Sequence, residues 1–176
     1  MNNHYSKPNL HRNQQSMGFT LVEMMVTITV LCVLLTIAVP TYQKFTSTQR
    51  IKFATFDLMS DLMLARNEAI KRNTSISLSV ISSGLCWKDG WKILNGTTAL
   101  SVHSAIDGVS IVDSVNTSTN CSNIPVLTYN SAGRLSSSVI IFTIDPSPST
   151  TSVDSRCISV DYTGRARSYL KSGGSC

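Results

Sequence analysis

The chain has 176 residues, of which 42% are hydrophobic and 14% are charged, with a formal net charge of +5. That length supports one domain with a modest core plus an added element. The low charged fraction, with many Ser, Thr and Asn residues, favours an exported domain over a cytosolic enzyme.

Residues 1–18 form a polar N-terminal segment with two basic residues, Lys7 and Arg12, and no acidic one. The following residues, 19–39, are uncharged apart from Glu23. At about 1.5 Å per residue this run is about 30 Å long, which matches the hydrocarbon core of a bilayer. Because the basic residues precede it, we expect a single-pass protein with a cytoplasmic N-terminus and a C-terminal domain outside.

The single carboxylate of the apolar run belongs to Glu23, and a charge in lipid is costly. One explanation is that Glu23 reaches the interface from its position near the end of the span. The other comes from residues 18–23 (GFTLVE), which resemble the prepilin processing motif of type IV pilins and pseudopilins. The resemblance implies that a prepilin peptidase cuts after Gly18, that the new N-terminal residue Phe19 is methylated, and that Glu23 pairs with the N-terminal amine of a neighbouring subunit during assembly. An amine and a carboxylate buried together in lipid cost far less than either alone.

Helical periodicity continues beyond Pro40. Apolar residues recur at spacings of three and four, and charged residues take other faces. We therefore predict that residues 40–74 continue the helix in amphipathic form to about Arg72, and that the Asn-Thr pair that follows ends it. The predicted buried stripe consists of Ile51, Ala54, Leu58, Leu62, Ala65 and Ala69.

Residues 75–155 carry the alternating patterns of a β-rich domain. Residues 75–81 alternate polar and apolar side chains, which is typical of a half-buried strand. Further strands are predicted at residues 90–94, 109–115, 126–129, 139–144 and 157–160. Turn or loop signals lie at residues 96–98, 116–123, 130–133 and 145–148. These patterns predict an α+β fold in which a long N-terminal helix packs on antiparallel β-sheet.

Five cysteines are present, and one of them, Cys32, lies in the apolar run, where a thiol acts as a small hydrophobic group. The four others have no CxxC spacing and no nearby histidine, which favours two disulfides over a metal site and implies an oxidising compartment. Four cysteines allow three connectivities. We prefer the pairing of sequence neighbours, because local loops close at the lowest entropic cost. This pairing joins Cys86 to Cys121 and Cys157 to Cys176.

Three segments of the chain resemble, in order, the GspH/FimT family of minor pilins and pseudopilins. They are residues 64–73 (LARNEAIKRN), 87–93 (WKDGWKI) and 130–134 (NSAGR). The resemblance covers most of the mature chain. It implies a type IV pilin-like fold, with a long transmembrane and amphipathic helix on antiparallel sheets and other pilin subunits as partners. For Trp87 and Trp91 we favour core packing over a stacking role at a binding site.

Residues 156–176 form a basic C-terminal segment. Its net charge of +3 equals that of the whole chain once a leader with two basic residues is removed. Gly164 permits a tight turn, and if the chain beyond it is extended, Arg165 and Arg167 point the same way, about 7 Å apart. Two guanidinium groups at that spacing can contact neighbouring phosphates of a nucleic-acid strand, each through a planar fork of donors. The charged residues of the segment are Arg156, Asp161, Arg165, Arg167 and Lys171.

Residues 164–167 (GRAR) match the C-terminal GRxR motif of the FimT branch in all three defined positions. In that branch, which is associated with DNA uptake in natural transformation, the motif contacts DNA. The GspH branch serves type II secretion and is not expected to carry it. The resemblance implies non-specific DNA binding through Gly164 and the two arginines, which Lys171 and Arg156 could extend. The alternative is a Gly-Arg turn whose arginines only solubilise the end of a strand.

Three functions are open to such a chain: a DNA-binding minor pilin, a minor pilin or pseudopilin that acts only in assembly, and an enzyme. We exclude the enzyme, because His4 and His11 lie in the leader and His103 stands without a Ser/His/Asp or paired-carboxylate pattern. The sequence shows no phosphate-binding loop and no metal-ligand spacing, so we expect no catalytic residue, no cofactor and no metal site. The expected location is the bacterial inner membrane, with the C-terminal domain in the periplasm or in the extracellular pilus.

Overall fold

The computed structural model describes residues 18–82, 85–115, 121, 124–149, 153–174 and 176. The predicted leader, apart from Gly18, and most of the predicted polar loop 116–123 lie outside the described residues. The chain divides into two compact units, Met1–Pro40 and Thr41–Cys176.

Helix α1 spans Leu21–Arg72, and its part up to Pro40 is apolar and exposed. An 18-residue window of α1 has a mean hydropathy of 2.4 and no buried part, so the helix is long and apolar enough to cross a membrane. Three threonines of the apolar part donate their hydroxyl groups to the carbonyl oxygen three residues earlier, at 2.9, 2.8 and 2.7 Å. A polar side chain in lipid needs such an internal partner, because no water is available there. The three donors are Thr27, Thr29 and Thr36.

The second unit begins with the remainder of α1, whose predicted stripe of six apolar residues is entirely buried. The helix ends at Arg72, where the sequence predicts its end. Asn73 takes a left-handed backbone conformation with φ 51°, and the N–H of Thr74 donates to the Ala69 carbonyl at 3.2 Å. Asparagine tolerates this conformation, so the pair forms a C-terminal cap that stops the helix.

Eight strands follow α1 within the part of the chain that the structure describes. They are β1 (Ile76–Val80), β2 (Trp91–Asn95), β3 (Thr98–His103), β4 (Val109–Asp113), β5 (Leu127–Tyr129), β6 (Ile140–Pro146), β7 (Arg156–Val160) and β8 (Ala166–Leu170). The strands form two antiparallel sheets of four, with the orders β3-β2-β1-β5 and β4-β6-β7-β8. The predicted α+β fold of a long helix with antiparallel sheets is therefore confirmed.

One hydrophobic core joins the helix to both sheets. Along β6, buried residues Ile140, Phe142 and Ile144 alternate with half-buried ones, the period of two that a strand imposes on its faces. Trp87 and Trp91 are at most 1% exposed, so the preference for core packing is confirmed.

Both tryptophans also satisfy their indole N–H groups across elements. Trp91 on β2 donates to the Asp61 carboxylate of α1 at 2.7 Å, and Trp87 donates to the Asp113 carboxylate of β4 at 3.2 Å. A buried indole N–H without a partner would cost free energy, so these bonds fix which elements the rings join.

Two parts of the predicted strand pattern were wrong. The edge strand β3 was missed, and its first residue Thr98 was assigned to a turn, because its side chains are exposed or half-buried and show no clear alternation. Residues Asp145 and Pro146 were assigned to a loop but belong to β6, where they pair with Ser110 and Val109 of β4. Pairing with a neighbouring strand overrides the local turn signal there.

Truncating the buried stripe of α1 should destabilise the second unit. Leu62 is fully buried, so Leu62→Ala should lower the free energy of unfolding of Thr41–Cys176 by about 2–5 kcal/mol through the cavity it leaves. The adjacent Met63 is 47% exposed, and Met63→Ala should change that free energy by less than about 0.5 kcal/mol. Urea denaturation of both variants measures the difference, and equal losses would contradict the orientation of the helix.

Candidate functional site

The basic C-terminal segment, residues 156–176, forms a β-hairpin, and the Cys157–Cys176 disulfide joins its C-terminal end to the sheet. Its strands β7 and β8 pair from Arg156 opposite Leu170 to Val160 opposite Ala166. The segment after Gly164 is therefore an edge strand of the second sheet, with its backbone held by the neighbouring strand.

Two disulfides hold the second unit, and both join neighbours in the sequence. Cys157 on β7 is bonded to Cys176 across a Cα–Cα distance of 5.8 Å, and Cys86 is bonded to Cys121 across 5.0 Å. These are the pairs that loop-closure entropy favours. Cys32 is a free cysteine on the apolar part of α1.

The turn between β7 and β8 runs from Asp161 to Arg165. The N–H of Gly164 donates to the Asp161 carbonyl at 2.9 Å, and the N–H of Asp161 donates to the Arg165 carbonyl at 3.3 Å. The Asp161 side chain completes the turn, because its Oδ1 accepts the N–H of Thr163 at 2.9 Å and that of Arg165 at 3.2 Å. Aspartate at the first position and glycine at the fourth specify this turn locally.

Gly164 is required by its conformation and by its packing. Its φ of 76° lies in the left-handed region that favours glycine. A Cβ at this position would lie 2.1 Å from the carbonyl oxygen of Gly133 and 3.1 Å from the ring of Tyr129. The hairpin turn is thus seated directly on the turn that contains Gly133.

The turn that contains Gly133 runs from Asn130 to Arg134 and is attached to helix α1. The Nε of Arg66 donates to the Gly133 carbonyl at 3.0 Å. A Cβ at Gly133 would lie 2.6 Å from the side chain of Ile70, also on α1. Two successive close contacts therefore connect the helix to the end of the hairpin.

Arg165 and Arg167 lie on one face of the hairpin. The ladder register continues through the hydrogen bond between Asp161 and Arg165, so the two arginines are separated by one residue of extended chain. Both are exposed. Among the described residues, neither forms a salt bridge with a carboxylate. The extended chain that runs from Arg165 into β8 supplies the arrangement that a pair of phosphate contacts requires.

Asp161 places one negative charge beside this arginine pair. Its pKa is held below the ordinary value of 3.8, chiefly by the hydrogen bond from the Thr163 hydroxyl, then by the Arg165 N–H and, to a smaller extent, by the positive charge of Arg167. Asp161 is therefore ionised at neutral pH and offsets part of the positive charge of the hairpin.

The other two basic residues of the segment lie elsewhere. Arg156 shares the core-side face of β7 with Ile158 and is thus on the opposite face from Arg167. Lys171 follows Arg167 by four residues, about 13 Å along an extended chain, and its Nζ contacts the Asp145 carboxylate at 3.3 Å. The expectation that Arg156 extends the arginine pair is wrong on this geometry, whereas Lys171 lies on the same face as Arg167 and is paired with Asp145.

The residues of the processing motif begin helix α1. Thr20 Oγ1 accepts the N–H of Glu23 at 3.2 Å, and Glu23 Oε2 accepts the N–H of Thr20 at 3.5 Å, which together form a capping box. Sequence analysis missed this contact, although the T-x-x-E spacing signals it. Gly18 has nothing within 4 Å of an added Cβ, and Phe19 is 78% exposed, so packing within the chain requires neither residue.

The ring of His103 contacts a tryptophan ring, a backbone carbonyl and a carboxylate. Its ring stacks on that of Trp91 with a centroid distance of 4.2 Å. Its Nδ1 lies 2.8 Å from the Ser104 carbonyl oxygen and its Nε2 lies 3.5 Å from the Asp57 carboxylate. In the described part of the chain, no three His, Cys, Asp or Glu side chains come together as a metal site.

The two turns that meet at Gly164 share one sequence pattern, which sequence analysis missed. Residues 130–134 (NSAGR) and 161–165 (DYTGR) both read Asx-x-x-Gly-Arg. A comparison of short turn segments would have found the repeat, because Asx and Gly at these positions have defined conformational roles. Two arginines from distant parts of the sequence therefore lie at the candidate site. Arg66 donates to the Gly133 carbonyl, and Arg134 is the last residue of the turn that contains Gly133.

Replacing Gly164 should displace the arginine pair. Gly164→Ala should lower the free energy of unfolding for two reasons. Alanine is disfavoured in the left-handed conformation, and the collision of its Cβ with a backbone carbonyl should add about 1–3 kcal/mol to that cost. Gly173→Ala is the matched control: its φ is 65°, but nothing lies within 4 Å, so only about 1–2 kcal/mol of conformational cost is expected. Thermal or urea unfolding of the two variants compares them, and equal destabilisation would contradict the close contact.

The Asp161 turn should respond to acid. Because the folded-state pKa is lowered, the turn is stabilised by the ionised carboxylate at higher pH and loses that contribution as pH falls through the folded pKa. The amide NMR shifts of Thr163 and Arg165 should titrate together with a midpoint below 3.8. Asp161→Asn should abolish this titration, and a midpoint at or above 3.8 in the unaltered protein would count against the hydrogen bonds.

Models of known protein families match two regions of the chain. The family model described as type II transport protein GspH matches residues 54–164, and the prokaryotic N-terminal methylation motif matches residues 18–39. A search of curated protein sequences gives no match. The GspH match ends at Gly164, so Arg165 and Arg167 lie beyond it.

Similar solved structures include the type IV minor pilin FimU of Pseudomonas aeruginosa strain PAO1, with 21% identity and a TM-score of 0.58 over 72% of this chain and 92% of that one. The minor pseudopilin EpsH of the type 2 secretion system of Vibrio cholerae has 12% identity and a TM-score of 0.52 over 69% of this chain and 97% of that one. These likenesses show a shared fold. The methylation motif and the long apolar helix fit a membrane-anchored pilin. Because the GspH match covers more than half of the chain, the chain belongs to the GspH family of minor pilins and pseudopilins.

Proposed function

We propose that this minor pilin belongs to the FimT branch, binds DNA non-specifically through the phosphate backbone, and supports DNA uptake in natural transformation. One observation carries the proposal: Arg165 and Arg167 are exposed on one face of a hairpin held by a disulfide and by the contact of Gly164 with Gly133. Their side chains have no salt bridge with a described carboxylate that a phosphate would have to displace.

Arginine is suited to this role because its planar fork donates two hydrogen bonds to one phosphate. Phosphate contacts position a protein on DNA but read no bases, so binding should be independent of sequence. The paired backbone of β8 holds Arg167, and the hydrogen bonds to Asp161 hold the backbone of Arg165, before DNA arrives, which reduces the ordering entropy lost on binding. Two neutralised phosphates give a slope of log K against log salt of about −2.

The proposal includes the membrane arrangement of a pilin. Cleavage after Gly18 and methylation of Phe19 by the prepilin peptidase would leave the apolar helix at the N-terminus, with Glu23 available to the amine of a neighbouring subunit. The two disulfides are consistent with a periplasmic C-terminal domain, because the periplasm is oxidising. Other pilin subunits, DNA, the peptidase and the inner membrane are the partners.

The second candidate function is assembly of a pilus or a type II secretion pseudopilus without DNA binding. The GspH match favours it, because the matched region ends before the two arginines. Exposed aromatic side chains of α1, including Phe53 at 65% and Phe56 at 71% exposure, also provide apolar area for contacts between subunits. Loss of DNA uptake with pili intact would separate the two functions in cells.

The first test measures DNA binding by the Thr41–Cys176 unit with both disulfides formed. Titration of a fluorescent DNA duplex at low salt should give micromolar or weaker affinity. Addition of the duplex should also shift the amide NMR signals of the hairpin. Arg165→Ala/Arg167→Ala should remove these shifts, because it removes both phosphate contacts. Lys44→Ala/Lys52→Ala is the matched control, since it removes two exposed positive charges from α1 and should leave binding nearly unchanged.

The salt dependence distinguishes a phosphate site from a general attraction of a basic protein to DNA. The double arginine variant should lose about 2 from the magnitude of the salt slope, and the double lysine variant should lose little. Equal weakening by both variants, or no binding of the unaltered unit at low salt, would reject the DNA function and leave assembly.

A further inference from the structure

We propose that the Asn130–Arg134 turn is the second half of the DNA site, with Arg134 contacting a phosphate beside those held by Arg165 and Arg167. This inference rests on the proposed DNA function. It adds Arg134, which precedes Arg165 by 31 positions in the sequence. It follows from three observations: the two turns are built alike, they are in contact, and both present an exposed arginine at the same position.

The two turns share the same set of hydrogen bonds donated by backbone N–H groups. In the first, Asn130 Oδ1 accepts the N–H groups of Ala132 and Arg134, each at 3.0 Å. Asp161 Oδ1 accepts the N–H groups of Thr163 and Arg165 in the second. Both glycines donate to the Asx carbonyl, at 2.8 Å for Gly133 and 2.9 Å for Gly164, and each Asx N–H donates to the arginine carbonyl. Arg134 therefore occupies the position that Arg165 has in the other turn.

The turns touch on both sides of Arg134. The Gly133 carbonyl lies against Gly164, and the N–H of Leu135 donates to the carbonyl of Tyr162 at 3.2 Å. Neighbouring Cα atoms are about 3.8 Å apart, so Arg134 is one residue from each of these contacts. Its side chain is exposed, whereas Gly133 and Leu135 are buried. The arginine is thus presented to solvent at the junction of the two turns.

The charge at the junction favours an anion. Arg66 reaches it from α1 through its bond to the Gly133 carbonyl, so positive groups from three parts of the chain surround the two turns. The first turn begins with Asn130, which builds the same hydrogen bonds as Asp161 without a negative charge. Arg134 therefore lacks the carboxylate that offsets Arg165 within its own turn. The positive residues at the junction are Arg66, Arg134, Arg165 and Arg167.

This arrangement gives the DNA site a different direction from the one predicted along the C-terminal segment. The contacts run from Arg167 on β8 across the hairpin turn to Arg134, which follows β5 of the other sheet. Arg156, on the other face, and Lys171, held by Asp145, lie outside it. Three phosphate contacts raise the expected salt slope from about −2 to about −3.

Binding of a fluorescent DNA duplex to the full-length protein in detergent micelles tests the inference by anisotropy. Arg134→Ala should weaken binding about 5- to 10-fold, as Arg165→Ala does, and should lower the magnitude of the salt slope by about 1. Arg134→Lys should keep most of that slope, since it keeps the charge. Lys52→Ala, which removes one exposed charge from α1, is the control and should leave both quantities nearly unchanged.

Asn130→Asp tests the same surface without altering Arg134. Aspartate keeps the oxygen that accepts both N–H groups, so the turn is retained, and its added negative charge should weaken DNA binding several-fold. If Arg165→Ala weakens binding while Arg134→Ala and Asn130→Asp both leave affinity and slope unchanged, the second half of the site is rejected and the DNA function stands. If the unaltered protein does not bind DNA at low salt, the DNA function itself is rejected.

Discussion

The close approach of Gly164 to the carbonyl of Gly133 is the contact on which the candidate site depends. It is available only to a residue without a side chain, because a Cβ would lie 2.1 Å from the carbonyl oxygen. The same carbonyl accepts a hydrogen bond from Arg66 of α1. Helix, first turn and hairpin turn are therefore packed in series, and the positions of the exposed arginines follow from backbone contacts that their own side chains do not make.

Asp161 has two opposed effects at this site. Its carboxylate accepts the hydrogen bonds that shape the hairpin turn, and the same charge reduces the attraction of the hairpin for phosphate. Asn130 performs the structural task in the other turn without a charge. The two turns show that the geometry of an Asx turn can be separated from its charge, because the hydrogen bonds need only the side-chain Oδ1 atom, which Asn and Asp both have.

The apolar part of α1 satisfies a different constraint. Its threonine hydroxyl groups bond to carbonyl oxygens of the same helix, and Glu23 bonds to the N–H of Thr20 at the helix start. Both arrangements pair polar groups within the helix, which lowers the cost of placing such a segment in lipid. In the second unit, the two tryptophan indole N–H groups instead pair with carboxylates of other elements, as in the bond from Trp91 to Asp61.

Sequence alone determined the features that depend on local periodicity and local bonding. The α1 stripe, the end of α1 at the Asn-Thr pair, the strands with clear alternation and the tight turn at Gly164 all follow from neighbouring residues, because spacing sets which side chains share a face and glycine permits the left-handed conformation. Tertiary structure alone decided the edge strand β3, the face of Arg156 and the meeting of Arg134 with the hairpin. These depend on ladder register and on contacts between residues distant in sequence, about which local patterns carry no information.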